Sequence, residues 1–143
     1  MEKIIAINEL SYFKKTKMAE TTKFVYDTFY EGYEIVTNEN NYKFLIRAEQ
    51  QCCEESGYLT TNDDISEFIG AEIKNIEWTD GSLTTKQVYG SDCGSDLIAC
   101  MFVNINTADN RKLQLVAYND HNGFYVHNVE FLKNDNIVES VGI

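Results

Sequence analysis

Residues 42–48, Tyr-Lys-Phe-Leu-Ile-Arg-Ala, decide the fold class of this 143-residue chain. Positions 42, 44, 46 and 48 are apolar, and Lys43, Arg47 and Glu49 lie between them. Because side chains of a strand alternate between its two faces, this period of two predicts a strand with one buried face. A second apolar stretch at 33–36 precedes it, and the polar residues 37–41 separate the two. The sequence therefore predicts a β-hairpin over residues 33–54.

Further segments show the same alternation or a continuous apolar run. They predict strands at 22–30, 72–79, 97–103, 113–118 and 124–132, with a short edge strand at 137–138. The run 97–103 is apolar at every position, which is typical of a strand covered on both sides. Asn122-Gly123 is a dipeptide that favours tight hairpin turns, and the glycine-containing stretch 81–95 predicts a long loop.

Only one helix is predicted. Asn62-Asp63-Asp64 offers an N-cap, and Gly70 offers a C-terminal stop, so one or two helical turns fit between them. The predicted fold class is mainly β (α+β): an antiparallel meander sheet or a small sandwich with one short helix near 63–69. The length fits a single domain, 1–143.

The composition describes an acidic chain with enough apolar residues for a core. Hydrophobic residues make up 43% of it, and its formal net charge is -11. Residues 1–47 are neutral overall, so the whole excess lies in residues 48–143. Direct binding to nucleic acid is therefore disfavoured, and no apolar run approaches the roughly 20 residues of a membrane helix. An acidic surface aids solubility, and it also complements a basic protein surface.

The residue types that carry chemistry do not form a known catalytic or metal-binding motif. Cys52, Cys53, Cys93 and Cys100 lack the spacing of a zinc site, and reduced cytoplasmic thiols are expected because no signal peptide is present. Cys53 could act as a nucleophile with His121 or His127, but the adjacent carboxylates of Glu54 and Glu55 would raise its pKa. We expect no catalytic residues, no metal and no cofactor.

Three short motifs, in order, resemble those of a family of small uncharacterised phage and prophage proteins. They are Glu49-Gln50-Gln51-Cys52-Cys53-Glu54, then Ile65-Ser66-Glu67-Phe68-Ile69-Gly70, then Asn122-Gly123-Phe124-Tyr125 with Val129-Glu130-Phe131. Phe124 stands where the family has a tyrosine. The resemblance covers residues 33–132 and leaves 1–32 as an N-terminal extension. It implies a compact β-rich domain in a phage context, without an established reaction.

The candidate binding residues come from these motifs and from the paired acids. A strand end and a turn can meet at one sheet edge, so Cys53, Glu54, Asn122 and Tyr125 could line one pocket; the alternative is that they serve packing and turn formation. The acidic candidates are Glu55, Asp63 and Asp64.

The first functional hypothesis is a non-enzymatic phage-encoded inhibitor of a host defence protein. A CRISPR effector nuclease, which holds nucleic acid in a positively charged site, is the expected target, in the host cytoplasm. The alternatives are a protein that binds and sequesters a small nucleotide signal, and a thiol or metal-dependent enzyme. A homodimer is a further expectation, because the neutral N-terminal third could dock on the acidic remainder of a second copy.

Overall fold

A computed structural model describes residues 1–18, 25–49, 55–80, 98–120 and 126–143, with the side chains of 12–18, 25–27 and 98 excepted. Strands and one 3₁₀ helix, Ile65–Phe68, make up these ranges. The strands are β1 (Ile4–Met18), β2 (Val25–Thr37), β3 (Asn41–Arg47), β4 (Glu55–Thr60), β5 (Ile73–Thr79), β6 (Ile98–Thr107), β7 (Lys112–Asp120), β8 (Asn128–Lys133) and β9 (Asn136–Gly142).

The strands form two antiparallel sheets. One has the order β1-β2-β3-β8-β9 and the other the order β4-β7-β6-β5. This confirms a mainly β fold of the sandwich type, and the described residues contain no α-helix. The strand order departs from a simple meander where β3 pairs with β8 and β4 pairs with β7. Such pairings join distant parts of the chain, which local alternation does not specify.

The core lies between the inner faces of the two sheets. Tyr33, Phe44 and Val129 from the first sheet pack in one cluster with Val103 and Leu115 from the second. Phe44 and Ile46 of β3 lie in this cluster as the alternation predicts, but the prediction of a single buried face is wrong, because Leu45 on the other face is 0% exposed and lies in a second cluster with Tyr30 and Leu132. Phe102 and Val103 are neighbours on opposite faces of β6, and both are fully buried. This confirms that the apolar run at 97–103 forms an interior strand covered on both sides.

β1 is a strand that the sequence pattern does not predict. Ile4 is buried in the central cluster, and β1 pairs with β2 from Ile4 onward. The backbone of Ile4 also bonds to the segment that follows the 3₁₀ helix, since its N–H donates to Ala71 O at 3.0 Å and its carbonyl accepts from Gly70 N at 2.7 Å. The first strand therefore connects the five-stranded sheet to the 3₁₀ helix.

The helix signals are confirmed in a shorter form. Asp64 is the N-cap and accepts a hydrogen bond from Ser66 N at 2.9 Å. Gly70 has φ +87°, a conformation that glycine adopts without steric cost. In the described ranges, no helix has the length and apolar character needed to cross a bilayer.

Candidate functional site

The residues predicted from the motifs fall partly outside the described ranges. Cys53, Glu54, Asn122 and Tyr125 all lie there, so their meeting in one pocket stays a prediction. Their described neighbours, Glu55 at the start of β4 and Asp120 at the end of β7, are paired opposite each other.

The acidic candidates do not share one site. Glu55 opens β4, whereas Asp63 and Asp64 follow its other end. Five residue steps of about 3.3 Å separate the two ends of the strand. We define the acidic corner as Asp63, Asp64, Glu67 and Asp109, all of which are exposed. Three of these residues line a groove of about 440 Å³ together with Thr61, Asn62, Phe68, Arg111 and Lys112.

Hydrogen bonds to β7 hold the chain that carries the acidic corner. The side chain of Asn62 donates to Lys112 O at 2.9 Å and accepts from Gln114 N at 2.9 Å. Thr60 Oγ1 donates to Gln114 O at 2.9 Å, and Thr61 Oγ1 donates to Gln114 Oε1 at 3.1 Å. These hydrogen bonds attach residues 60–62 to β7, so the backbone that leads to Asp63 and Asp64 is held in place.

Arg111 forms hydrogen bonds with Glu67 and Asp109, the other two residues of the acidic corner. Its Nη1 donates to Glu67 O at 3.0 Å, and its Nε donates to Asp109 Oδ2 at 2.8 Å. The guanidinium also lies 4.9 Å above the ring of Phe68, a cation–π contact. Because Arg111 is engaged three times, it braces the corner and is held in place there.

Two carboxylates of this corner, those of Asp64 and Asp109, have a lowered pKa. A hydrogen bond from the Ser66 hydroxyl, with a second from the Ser66 N–H, lowers the pKa of Asp64. The hydroxyl of Thr107, followed by Arg111, lowers the pKa of Asp109. Hydrogen bonds donated to a carboxylate stabilise its charged form, so both groups stay negative over the physiological range.

A second groove, which we call the edge groove, opens between β5 and the pair β8–β9. It has a volume of about 450 Å³ and is lined by Glu2, Tyr42, Ile73, Lys74, Asn75, Ile76, Trp78, Phe131, Lys133, Val138 and Glu139. Sequence reasoning missed it, because its residues come from widely separated segments and none of those segments carries a motif for such a site. Only the pairing of the strands brings them together.

Glu2 lines the edge groove, and hydrogen bonds hold its carboxylate in place. Its carboxylate accepts hydrogen bonds from Thr37 Oγ1 at 2.6 Å, from Asn40 Nδ2 at 2.9 Å and from Tyr42 Oη at 2.9 Å. Burial raises its pKa, but these bonds and the charge of Lys133 outweigh burial, so the pKa lies below the ordinary value of 4.5.

Two of the residues considered for thiol or metal chemistry, His127 and Cys100, are described, and both are buried. His127 is 2% exposed, and its Nδ1 lies 2.7 Å from the carbonyl oxygen of Arg47. Cys100 is buried and disulfide-bonded, so the expectation of reduced thiols is wrong at this position. The described residues contain no group of three or more His, Cys, Asp or Glu that could hold a metal ion.

Comparison with known proteins defines the family. No curated protein and no solved structure matches the chain. A family model described as a domain of unknown function (DUF7448) matches residues 6–131, which is most of the chain and includes β2 to β7 at full length. The match begins at residue 6, inside β1, so it includes most of that strand. The chain therefore belongs to the DUF7448 family.

Proposed function

We propose that this protein is a non-enzymatic inhibitor that binds a basic, nucleic-acid-handling protein through the acidic corner. The observation that carries the proposal is the cluster of exposed carboxylates at 63, 64, 67 and 109, of which those of Asp64 and Asp109 are held by hydrogen bonds. Hydrogen bonds hold the chain around them, and two of the four have a lowered pKa.

A cluster of exposed carboxylates suits a partner site that is made for phosphates. Such sites present lysine and arginine side chains along a groove, and carboxylates at the surface of a second protein satisfy the same donors. Little conformational entropy is lost on docking, because the loop and Arg111 are already ordered. The association should weaken with added salt, since screening reduces attraction between exposed charges.

The basic groups of the described residues are consistent with an acidic surface that attracts a basic partner. Three of the described cations are engaged in ion pairs: Lys43 with Asp135, Arg47 with Glu49, and Arg111 with Asp109. Each of these pairs also uses one carboxylate, so the net charge remains -11, and it repels nucleic acid while attracting a basic protein surface.

A CRISPR effector nuclease is the class of partner that fits this proposal most specifically. It holds a guide–target heteroduplex in a positively charged channel, and an acidic sandwich seated there would prevent loading. On this reading the protein is phage-encoded and acts in the host cytoplasm. The support is the resemblance of its three short motifs to phage and prophage proteins, together with its charge.

The test is a paired capture from bacterial lysate at low salt. One column carries the wild-type chain, and the other carries D63N/D64N/E67Q, in which the asparagine introduced by D64N still offers an N-cap. We expect nucleic-acid-handling proteins on the first column, released by a salt step, and their loss from the second. A third column carrying E39Q/E77Q/D80N, which removes three exposed charges elsewhere, should retain them. Equal capture on all three columns would exclude the acidic corner as the docking surface.

A further inference from the structure

We propose that the edge groove is a binding site for a single nucleotide, with the base against its aromatic wall and the phosphate between Lys74 and Lys133. This site is separate from the acidic corner, and the inference does not depend on the inhibitor function. It rests on the shape of the groove, the rings that line it and the state of its charged groups.

The groove exists because neither sheet continues on this side of the sandwich in the described part of the chain. β5 is the edge of the four-stranded sheet, and β9 is the edge of the five-stranded sheet. The inner faces of the two sheets therefore reach the surface here. A concave, largely apolar site with a few polar groups is the usual form of a small-molecule site, and about 450 Å³ lies in its size range.

Aromatic rings form the wall of the groove. Tyr42 and Phe131 stack on each other with ring centroids 5.8 Å apart, and both are buried, so they support the groove from the core side. Trp78 stands edge-on to Phe44 at 6.1 Å, which fixes its indole while part of it remains accessible. Trp78 is therefore the ring of the groove that a nucleobase can reach, and stacking of a base on an aromatic side chain contributes substantially to affinity.

Two lysines from opposite sheets supply the positive charge. Lys74 lies on β5 and Lys133 ends β8, and both are exposed. Neither forms an ion pair with a described residue, in contrast to Lys43, Arg47 and Arg111, although the charge of Lys133 also acts on the carboxylate of Glu2. A phosphate between the two ammonium groups would satisfy both.

The acidic groups of the groove have different surroundings. Glu2 is already occupied by three donors from the chain, so it does not need a ligand. Glu139 is exposed on β9 and is available to accept hydrogen bonds from the hydroxyls of a ribose, a role that carboxylates fill in other nucleotide sites. The groove thus combines a stacking wall, two cations and an acceptor.

The size and charge of the protein restrict the ligand to one nucleotide. The overall charge of -11 repels a long polyanion, whereas a single phosphate meets only the local charges of the groove, which are the two lysines and the carboxylates of Glu2 and Glu139. An added peptide strand fits less well, because β9 is irregular opposite Phe131 and Leu132 and both edges carry charged side chains. Bulges and charges on edge strands hinder further pairing.

Trp78 makes the proposal directly measurable, because it is the single tryptophan of the chain. Its fluorescence is followed while AMP, GMP, CMP and UMP are added, with adenosine and inorganic phosphate as partial ligands. Calorimetry on the same samples gives a reading that absorbance by the ligand does not affect. We expect saturable quenching by at least one nucleotide, with binding about tenfold or more tighter than that of its nucleoside.

A charge variant and a matched control separate the site from general electrostatics. K74A/K133A should weaken nucleotide binding by about tenfold or more and leave adenosine binding within about twofold. K3A/K112A removes the same charge outside the groove and should bind the nucleotide like the wild type. The proposal is overturned if no nucleotide gives saturable quenching or heat, or if the two double variants bind the nucleotide equally.

Discussion

Gly32 on β2 lies directly against the backbone carbonyl of Phe44 on β3. A Cβ at position 32 would stand 1.9 Å from Phe44 O, and the φ of Gly32 is +154°. On its other side, Gly32 pairs with Leu10, where β1 becomes irregular. The middle of the five-stranded sheet therefore depends on the absence of a side chain at this position.

Replacing Gly32 by alanine should destabilise the fold severely. The clash is with backbone atoms, which cannot rotate away, so we expect a loss of about 3 kcal/mol or more. Gly70→Ala is the matched control, because its φ is +87° but nothing lies within 4 Å of the added Cβ. It should cost only about 1 kcal/mol. Urea unfolding of both variants measures the difference, and equal losses would contradict the close approach.

Ile4 and Ile5 offer an adjacent pair with opposite environments. Ile4 is 1% exposed and lies in the central cluster, whereas Ile5 is 55% exposed. Ile4→Ala should cost about 2–4 kcal/mol, because it removes buried methyl groups and leaves a cavity, and Ile5→Ala should change stability by less than about 0.5 kcal/mol. If both changes prove neutral, the N-terminal segment is an extension and not part of the core.

Acid should weaken the fold through Glu2. Its pKa is lower in the folded protein than the ordinary 4.5, so its ionised form stabilises the fold above that value. This contribution is lost as the pH falls through the lower folded value. Glu2→Gln should therefore be less stable at neutral pH and lose less stability between about pH 5 and pH 3. Denaturant unfolding across that range tests this, and parallel curves for the two proteins would refute it.

Alkali should weaken the fold through two tyrosines. Burial first, with nearby Glu9 for Tyr33 and Glu2 for Tyr42, raises the pKa of each hydroxyl from 10.0 to about 12. A raised pKa means that the stabilisation is complete below pH 10.0 and is lost as the pH rises toward 12. Tyr33→Phe keeps the ring and should reduce that loss. Tyrosinate absorbance gives a second reading, in which Tyr33 and Tyr42 should be among the tyrosines that titrate late.

The sequence predicted the strands better than their partners. A fully apolar run identifies β6 as an interior strand, because the pattern reflects the burial of both faces. Alternation identifies β3 as a strand but not the burial of its second face, where Leu45 is covered by tertiary packing. β1 escaped prediction because its buried Ile4 is followed by Ile5, which points outward and breaks the contrast between faces. β4 is short and contains Ser56 and Gly57, which do not favour a strand.

In the candidate sites, too, local features could be predicted from the sequence, whereas contacts between distant segments could not. Asp64 and Gly70 could be predicted as helix ends because capping is local. The bracing of Glu67 by Arg111 depends on β7 lying next to the helix, and the presence of Lys74 and Lys133 in one groove depends on where two sheets end. No local pattern carries that information.

The central claim is that the acidic corner occupies a site made for nucleic acid, and competition tests it most directly. A partner retained on the wild-type column is loaded with fluorescently labelled nucleic acid, and anisotropy is followed as the chain is added. The account predicts full release of the nucleic acid, with D63N/D64N/E67Q requiring about tenfold more protein and E39Q/E77Q/D80N behaving like the wild type. A ternary complex in which the nucleic acid stays bound would contradict it.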